Sequence, residues 1–462
     1  MAVEQSLETS AASNTDDGKI RTGTVWTCIA HIITGVIGAG VLSLAWSTAQ
    51  LGWIAGPLAM ICFAFVTYIS AFMLSECYRS PHPVYGARNY SYMDAVKKTL
   101  GKKHTLFCGF LQYLSLFGTS TAYVITTATC MRAIQRSNCY HKEGHSAPCS
   151  GGDSFFMLMF GVVQIFVSQI PDFHNMQWLS VVAATMSFTY SFIGFGLGLA
   201  KVIGNGRING GIGGVHTASV HTASTAQKVW KVSQAIGDVA FAYPYSIIVI
   251  EIQDTLKSPP QEHQTMKKAS MASIIITTFF YLCCGCFGYA AFGDDTPGNL
   301  LTGFGFYEPY WLVDLANSCI ILHLIGGYQV FSQPIFAFFE RQFSEKLPSS
   351  WTLTNCFHRI HLPFLPSFRI NLFRIFFRTL YVASTTGLAL GFPYFNQVLA
   401  LLGAISFWPL AIYFPVEMYS VQKKIAPWTS RWFVLQAFSV GCLLVSIFAL
   451  IGSIEGLFSQ RL

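Results

Sequence analysis

The sequence predicts an all-α polytopic membrane protein. Three observations carry this. Only 11% of its 462 residues are charged while 52% are hydrophobic. Eleven apolar stretches approach or exceed the ~20 residues a helix needs to cross a bilayer. Two of those stretches are interrupted internally by glycine or proline. An ordinary soluble domain carries about 25% charge, so this chain is too apolar for one soluble core. A membrane β-barrel would show short alternating segments instead.

The first segment, "MAVEQSLETSAASNTDDGK", is polar and rich in Ser, Thr and acid. Residues 1–23 are expected to form a disordered cytoplasmic tail. No basic region precedes a short apolar core there, so the first span is expected to act as an uncleaved anchor. Residues 24–462 then form one transmembrane domain. Its expected spans are 24–47, 51–78, 106–131, 154–171, 176–200, 229–252, 268–292, 309–339, 375–391, 397–419 and 432–454, separated by Gly, Pro and charged clusters.

Lys and Arg set the orientation. With the N-terminus inside, 19 of the 28 Lys and Arg residues fall in cytoplasmic segments and 7 outside. That bias predicts a cytoplasmic N-terminus and, after eleven spans, an extracellular C-terminus. The loop "GDDTPGNLLTGFGFYEP", 293–309, has no Lys or Arg and suits the outside; the loop 201–228 carries three and is less clear. The net charge of +7 thus follows from topology, with no nucleic-acid partner implied.

Most of the 13 cysteines lie in spans, including "CCGC" at 283–286, where they read as small packing residues. Cys139 and Cys149 differ. They share the polar loop "NCYHKEGHSAPC", placed outside, where a disulfide is expected. The sequon Asn89-Tyr90-Ser91 falls on the cytoplasmic side, so no glycan is expected on it.

The first span contains "HIITGVIGAGVLSLAW", with Gly35, Gly38 and Gly40. A dinucleotide fingerprint would need a preceding strand, which is missing. Two readings stay open: close helix packing by small residues, or a broken helix. In the second, freed amides and the positive end of the following half-helix make a carboxylate site. The sixth span, "QAIGDVAFAYPYSIIVIEIQD", offers a partner break at Pro244, which lacks an N–H and displaces the Ala240 carbonyl. A simple kink is the alternative there. Paired interruptions in corresponding spans point to a midplane substrate site.

Ionisable groups inside spans point to proton handling, and His31, His323 and Asp238 are the candidates. Asp314 lies nearer the outer end of span eight. Glu76, Glu251, Glu340 and Glu417 lie near cytoplasmic ends and read as interfacial or structural. No H-E-x-x-H or G-x-S-x-G speaks for an enzyme. No large cytoplasmic domain speaks for a sensor. A channel would usually show ring-forming charge or a filter segment.

The stretches "HIITGVIGAGVLSLAWSTAQLGW", "GDVAFAYPYSIIVIEIQDTLKSPP" and "PFLPSFRINLFRIFFRTLYV" resemble plant amino acid permeases of the amino acid/auxin permease family. The likeness extends from about Thr22 to the C-terminus. It implies a proton-coupled amino acid symporter of the plasma membrane, binding an amino acid and a proton in the bilayer without a cofactor. It implies a LeuT-type fold, spans 1–5 and 6–10 as inverted repeats, plus an eleventh transmembrane helix. By motif match, Gly35, Gly38 and Gly40, with Thr34 and Ala39, would face the substrate carboxylate. Ala240, Phe241, Ala242 and Tyr243 would line the ammonium side. His31 and His323 match histidines typical of these permeases, and Asp238 their span-six acid. Pro244 is a departure: related sequences often carry a small residue there. Auxin or another organic carboxylate is the alternative substrate class. Substrate range, proton stoichiometry and oligomeric state are not legible.

Overall fold

The structure is a computed structural model. It describes residues 21–144, 147, 149, 151–170, 177–215, 225–304, 309–346, 357–360 and 368–459. The first twenty residues of the expected tail lie outside that set.

Apolar composition makes the chain helical, because a backbone in lipid must satisfy its own hydrogen bonds. The helices in order are α1 (Val25–Val36), α2 (Gly40–Glu76), α3 (Tyr92–Leu100), α4 (Lys102–Glu143), α5 (Asp153–Ser168), α6 (Gln177–Asn205) and α7 (Thr225–Ala242). They continue with α8 (Ser246–Gln253), α9 (Glu262–Phe292), α10 (Tyr310–Lys346), α11 (Leu372–Gly391), α12 (Phe395–Ser406), α13 (Phe414–Gln422) and α14 (Ser430–Ser459). A π-helical turn, Phe407–Tyr413, joins α12 to α13.

Among the described residues, seven helices are long and apolar enough to cross a membrane: Gly40–Glu76, Val181–Asn205, Thr225–Gln253, Glu262–Asp295, Tyr310–Glu340, Phe395–Gln422 and Ser430–Ser459. The first of these is two helices meeting at Gly52, whose φ of 83° breaks the run between expected spans one and two. That glycine is required. A Cβ there would collide with the Ile212 carbonyl, because the 211–215 segment hydrogen-bonds Trp53 and Ala49. The helices α1 and α5 are shorter apolar elements. The expected spans 106–131 and 375–391 are helical within α4 and α11 but fall outside the seven.

The structure adds elements that apolar periodicity did not announce. Two antiparallel hairpins, β1 (Arg79–Ser80) with β2 (Ala87–Arg88) and β3 (Phe357–Ile360) with β4 (Phe368–Asn371), qualify the all-α expectation. They sit in connections between helices, where backbone groups pair with each other rather than within a helix. Helix α3 is a short amphipathic element between expected spans two and three, capped by the Ser91 hydroxyl.

The last residues of the expected tail, Arg21 to Gly23, carry tertiary contacts. Arg21 is buried, and Gly23 pairs with the segment after α8 through hydrogen bonds to Thr255 and Lys257. Arg21 donates to the Asp254 carboxylate at 2.8 Å, and Tyr78 donates to the same oxygen at 2.7 Å. The acids at this end of the molecule take structural partners. Glu76 pairs with Lys267 and Lys423, Glu262 with Arg79 and Arg88, and Glu340 with Arg374 and Arg378.

The interrupted elements occupy the interior. Helix α2 packs along α9 and α7, α1 lies against α6 and α9, and α7 lies against α12 and α14. Helix α7 approaches α12 backbone to backbone: a Cβ on Gly237 would sit 2.7 Å from the Ala400 carbonyl oxygen.

Candidate functional site

Helix α1 ends at Val36 because the backbone leaves helical geometry at Ile37, with φ −80° and ψ 83°. Gly38 N–H then bonds back to the Val36 carbonyl at 2.9 Å, a tight three-residue turn. Helix α2 starts at Gly40, and no side chain caps it. Its first N–H groups and the positive end of its dipole therefore face an interior gap.

The break strands carbonyls at the end of α1, and hydroxyls from neighbouring helices satisfy them. Tyr281 on α9 reaches the Val36 carbonyl at 2.7 Å. Ser187 and Tyr190 on α6 donate to the Ile37 carbonyl at 2.9 and 2.8 Å. Helix α7 ends at Ala242, and α8 restarts at Ser246 after Tyr243, Pro244 and Tyr245. Tyr281 also lies 2.9 Å from the Ala242 carbonyl, so one phenol spans both interruptions. The two breaks touch: a Cβ on Gly40 would sit 2.9 Å from the Ala242 Cα.

A cavity of about 70 Å³ lies between them. Of the expected site residues, Gly35, Gly38, Ala39, Gly40, Ala240, Phe241 and Ala242 line it, with Pro244 among the walls. Thr34 and Tyr243 do not. Thr34 donates to the Ala30 carbonyl along its own helix, and the Tyr243 ring packs edge-on to Tyr281 at 5.0 Å. The opposite walls come from Ser115, Thr119 and Tyr123 of α4, Phe331 of α10, and Gly403 and Ser406 of α12.

The three expected proton handlers are not gathered into one cluster. Asp238 is fully buried on α7 and accepts from the Ser47 hydroxyl at 3.3 Å; its other oxygen has no partner. His323 is buried on α10, its Nδ1 3.1 Å from the Ala183 carbonyl. A carbonyl only accepts, so Nδ1 carries the proton and Nε2 presents its lone pair in the neutral ring. That Nε2 has no partner, and a Cβ on Gly38 would lie 3.9 Å from it. His31 is part-exposed on α1, about one and a half turns before the break at Ile37. Among the described residues, none of the three hydrogen-bonds another. Asp314 accepts from Asn138 at 2.9 Å. Cys139 and Cys149 are joined as a disulfide, and no His, Cys, Asp or Glu cluster among the described residues has the make-up of a metal site.

Sequence reasoning missed Tyr281, Tyr190, Ser187 and Ser47. A tyrosine in an apolar run is a faint signal, because its buried hydroxyl needs a partner. Nothing in the sequence says which carbonyl that partner is.

A vestibule of about 670 Å³ opens where α7 begins, near Trp46, Lys231, Asn299, Asn396 and Glu455. The Arg21–Asp254–Tyr78 cluster lies just past the end of α8. Helices α7 and α8 follow one another through the molecule, so vestibule and cluster sit at opposite ends of that path. The arrangement offers amide donors at one side of a buried cavity and carbonyl acceptors at the other.

Membrane-competent helices packed around two interrupted ones, with a buried cavity between the breaks, define a multi-pass membrane carrier. The chain belongs to the transmembrane amino acid transporter protein family, which it matches over residues 21–459. It is 60% identical over 451 residues to probable amino acid permease 7 of Arabidopsis thaliana, covering 96% of this chain and 95% of that one. It is 55% identical over 442 residues to amino acid permease 3 of the same plant, covering 96% and 92%. Lysine histidine transporter-like 6, also from Arabidopsis thaliana, is 28% identical over 412 residues, covering 88% and 85%. The chain is an amino acid transport protein, not an enzyme.

Proposed function

We propose that this chain is a proton-coupled amino acid symporter that imports its substrate across the plasma membrane by alternating access. The supporting observation is the pair of facing breaks, Val36–Gly40 and Ala242–Ser246, with a cavity between them. An α-amino acid is a zwitterion. The uncapped start of α2 suits its carboxylate, and the carbonyls at the end of α7 suit its ammonium. Spans 1–5 and 6–10 then form the LeuT-type inverted repeats, and α14 is the eleventh helix. The Lys and Arg bias puts the N-terminus in the cytoplasm, the C-terminus and vestibule outside, and the Arg21 cluster inside.

Uphill uptake needs a coupled ion. One charge moving inward through ~100 mV supplies about 2.3 kcal/mol, and a one-unit pH gradient adds about 1.4 kcal/mol. The buried carboxylate of Asp238 takes the proton while the cavity faces outward, and His31 and His323 are the further candidates. That its relatives are amino acid permeases by name favours amino acids over auxin or another organic carboxylate.

Voltage clamp of cells expressing this chain tests the reading, with neutral, acidic and basic amino acids at about pH 5.5 and about pH 7.5, with and without sodium. An inward current that grows in acid and ignores sodium is expected. Absence of current for every amino acid, with the chain at the cell surface, would overturn it.

A further inference from the structure

A second pocket, of about 390 Å³, lies at the vestibule end of α4. It shares Thr129 and Thr302 with the vestibule and no residue with the central cavity. Arg132 and Arg136 stand four residues apart on α4, so both side chains project to one face. Asp153, at the start of α5, faces them. Arg132 Nη1 lies 2.6 Å from Asp153 Oδ2. Arg136 Nε donates to the Tyr140 hydroxyl at 2.7 Å, and its guanidinium carbon lies 5.2 Å from the centre of that ring.

Each guanidinium has five N–H donors, and each of these bonds uses one. The Arg132–Asp153 pair is partly solvent-exposed, its side chains 47% and 33% accessible, so an incoming carboxylate can compete for Arg132. Asp153 Oδ1 has no hydrogen-bond partner. The Cys139–Cys149 disulfide ties the end of α4 to the segment entering α5, which holds the two walls together.

We propose that this pocket binds a dicarboxylic amino acid, one carboxylate on each arginine and the ammonium on Asp153. The two guanidiniums and one carboxylate leave one net positive charge, matching a ligand of one net negative charge. A neutral amino acid offers a single carboxylate and gains less. Forked donors favour planar carboxylates, so arginine at both positions is meaningful. On the transport reading above, the pocket is a staging site that opens into the vestibule; the binding itself does not rest on it.

The test is equilibrium binding of labelled L-glutamate and L-alanine to the purified full chain in lipid nanodiscs, for the unaltered chain, Arg132→Gln and Arg136→Gln. Losing one charged hydrogen-bonded contact weakens glutamate binding at this site about ten-fold, with alanine binding moved less than about two-fold. Arg132→Lys and Arg136→Lys keep the charge without the fork, so they give intermediate affinity. Glutamate binding that is absent, or unchanged in both glutamine variants, overturns the proposal. So does an equal loss for alanine, which marks a structural role. Arginine-dependent glutamate binding without any amino acid current in cells would sink the transport reading and leave this site standing. Normal current with arginine-independent binding would sink this site alone.

Discussion

Gly40 and Ala242 meet backbone to backbone. A Cβ added to Gly40 would lie 2.9 Å from the Ala242 Cα and 3.0 Å from its Cβ. The two interrupted spans are thus in contact at their breaks, and the cavity lies in the space their missing helical turns leave.

Gly40→Val is predicted to impair transport strongly. Neither atom it meets is the far end of a flexible side chain, so a backbone must shift. Overpacking of this kind costs about 1–3 kcal/mol, and uptake should fall by about ten-fold or more at normal surface expression. Labelled amino acid uptake with surface biotinylation measures it; near-normal uptake would show that the breaks do not need this contact.

Tyr281→Phe removes the hydroxyl shared by the Val36 and Ala242 carbonyls. Leaving buried acceptors unsatisfied costs about 1–3 kcal/mol. The purified variant should unfold at lower temperature and transport more slowly. An unchanged melting curve would mean that water or another donor replaces the phenol.

Asp238→Asn keeps the side-chain shape and removes the titration. In the symport reading, acid outside loads the carboxylate, so wild-type uptake rises as external pH falls. The asparagine variant should show an uptake ratio near one between about pH 5.5 and about pH 7.5. Retention of the full pH dependence would take Asp238 out of the coupling mechanism and leave His323, whose Nε2 faces Gly38, as the next residue to replace.

Arg21→Ala breaks the cluster that ties the chain before α1 to the end of α8. Removing one partner of a buried pair costs about 3–5 kcal/mol; Asp254 keeps some solvent access, so the lower end applies. In the symport reading, which puts this cluster on the cytoplasmic side, the inward end should open more often, and efflux of preloaded amino acid should accelerate relative to uptake. Equal rates in both directions, before and after substitution, would show that this cluster holds the fold without gating it.

Much of the site was legible because its chemistry is written in backbone-breaking residues. Glycine at 35, 38 and 40 and proline at 244 mark places where a helix can be interrupted, though close helix packing and a simple kink were equally open readings of them. Seven of the nine substrate-site residues that the family resemblance implied line the cavity. Thr34 and Tyr243 do not, because helix phase and rotamer turn them towards Ala30 and Tyr281. The walls from α4, α10 and α12 were illegible: Ser115, Phe331 and Gly403 are unremarkable within their own stretches. Helix α3 and the strand pairs were missed because short elements leave little periodic signal.

The sequence by itself determined that this chain is helical, which stretches are apolar, where two of them can be interrupted and which ionisable groups lie inside them. Those properties depend on composition and local backbone chemistry, which neighbours in the chain settle. Only the tertiary structure decided that the two breaks face each other, that Tyr281 serves both, that Ser47 reaches Asp238, and that Arg21 closes on Asp254 across 233 residues of chain. Such contacts depend on how helices pack side by side. A buried hydroxyl or carboxylate takes whichever partner that packing brings within reach.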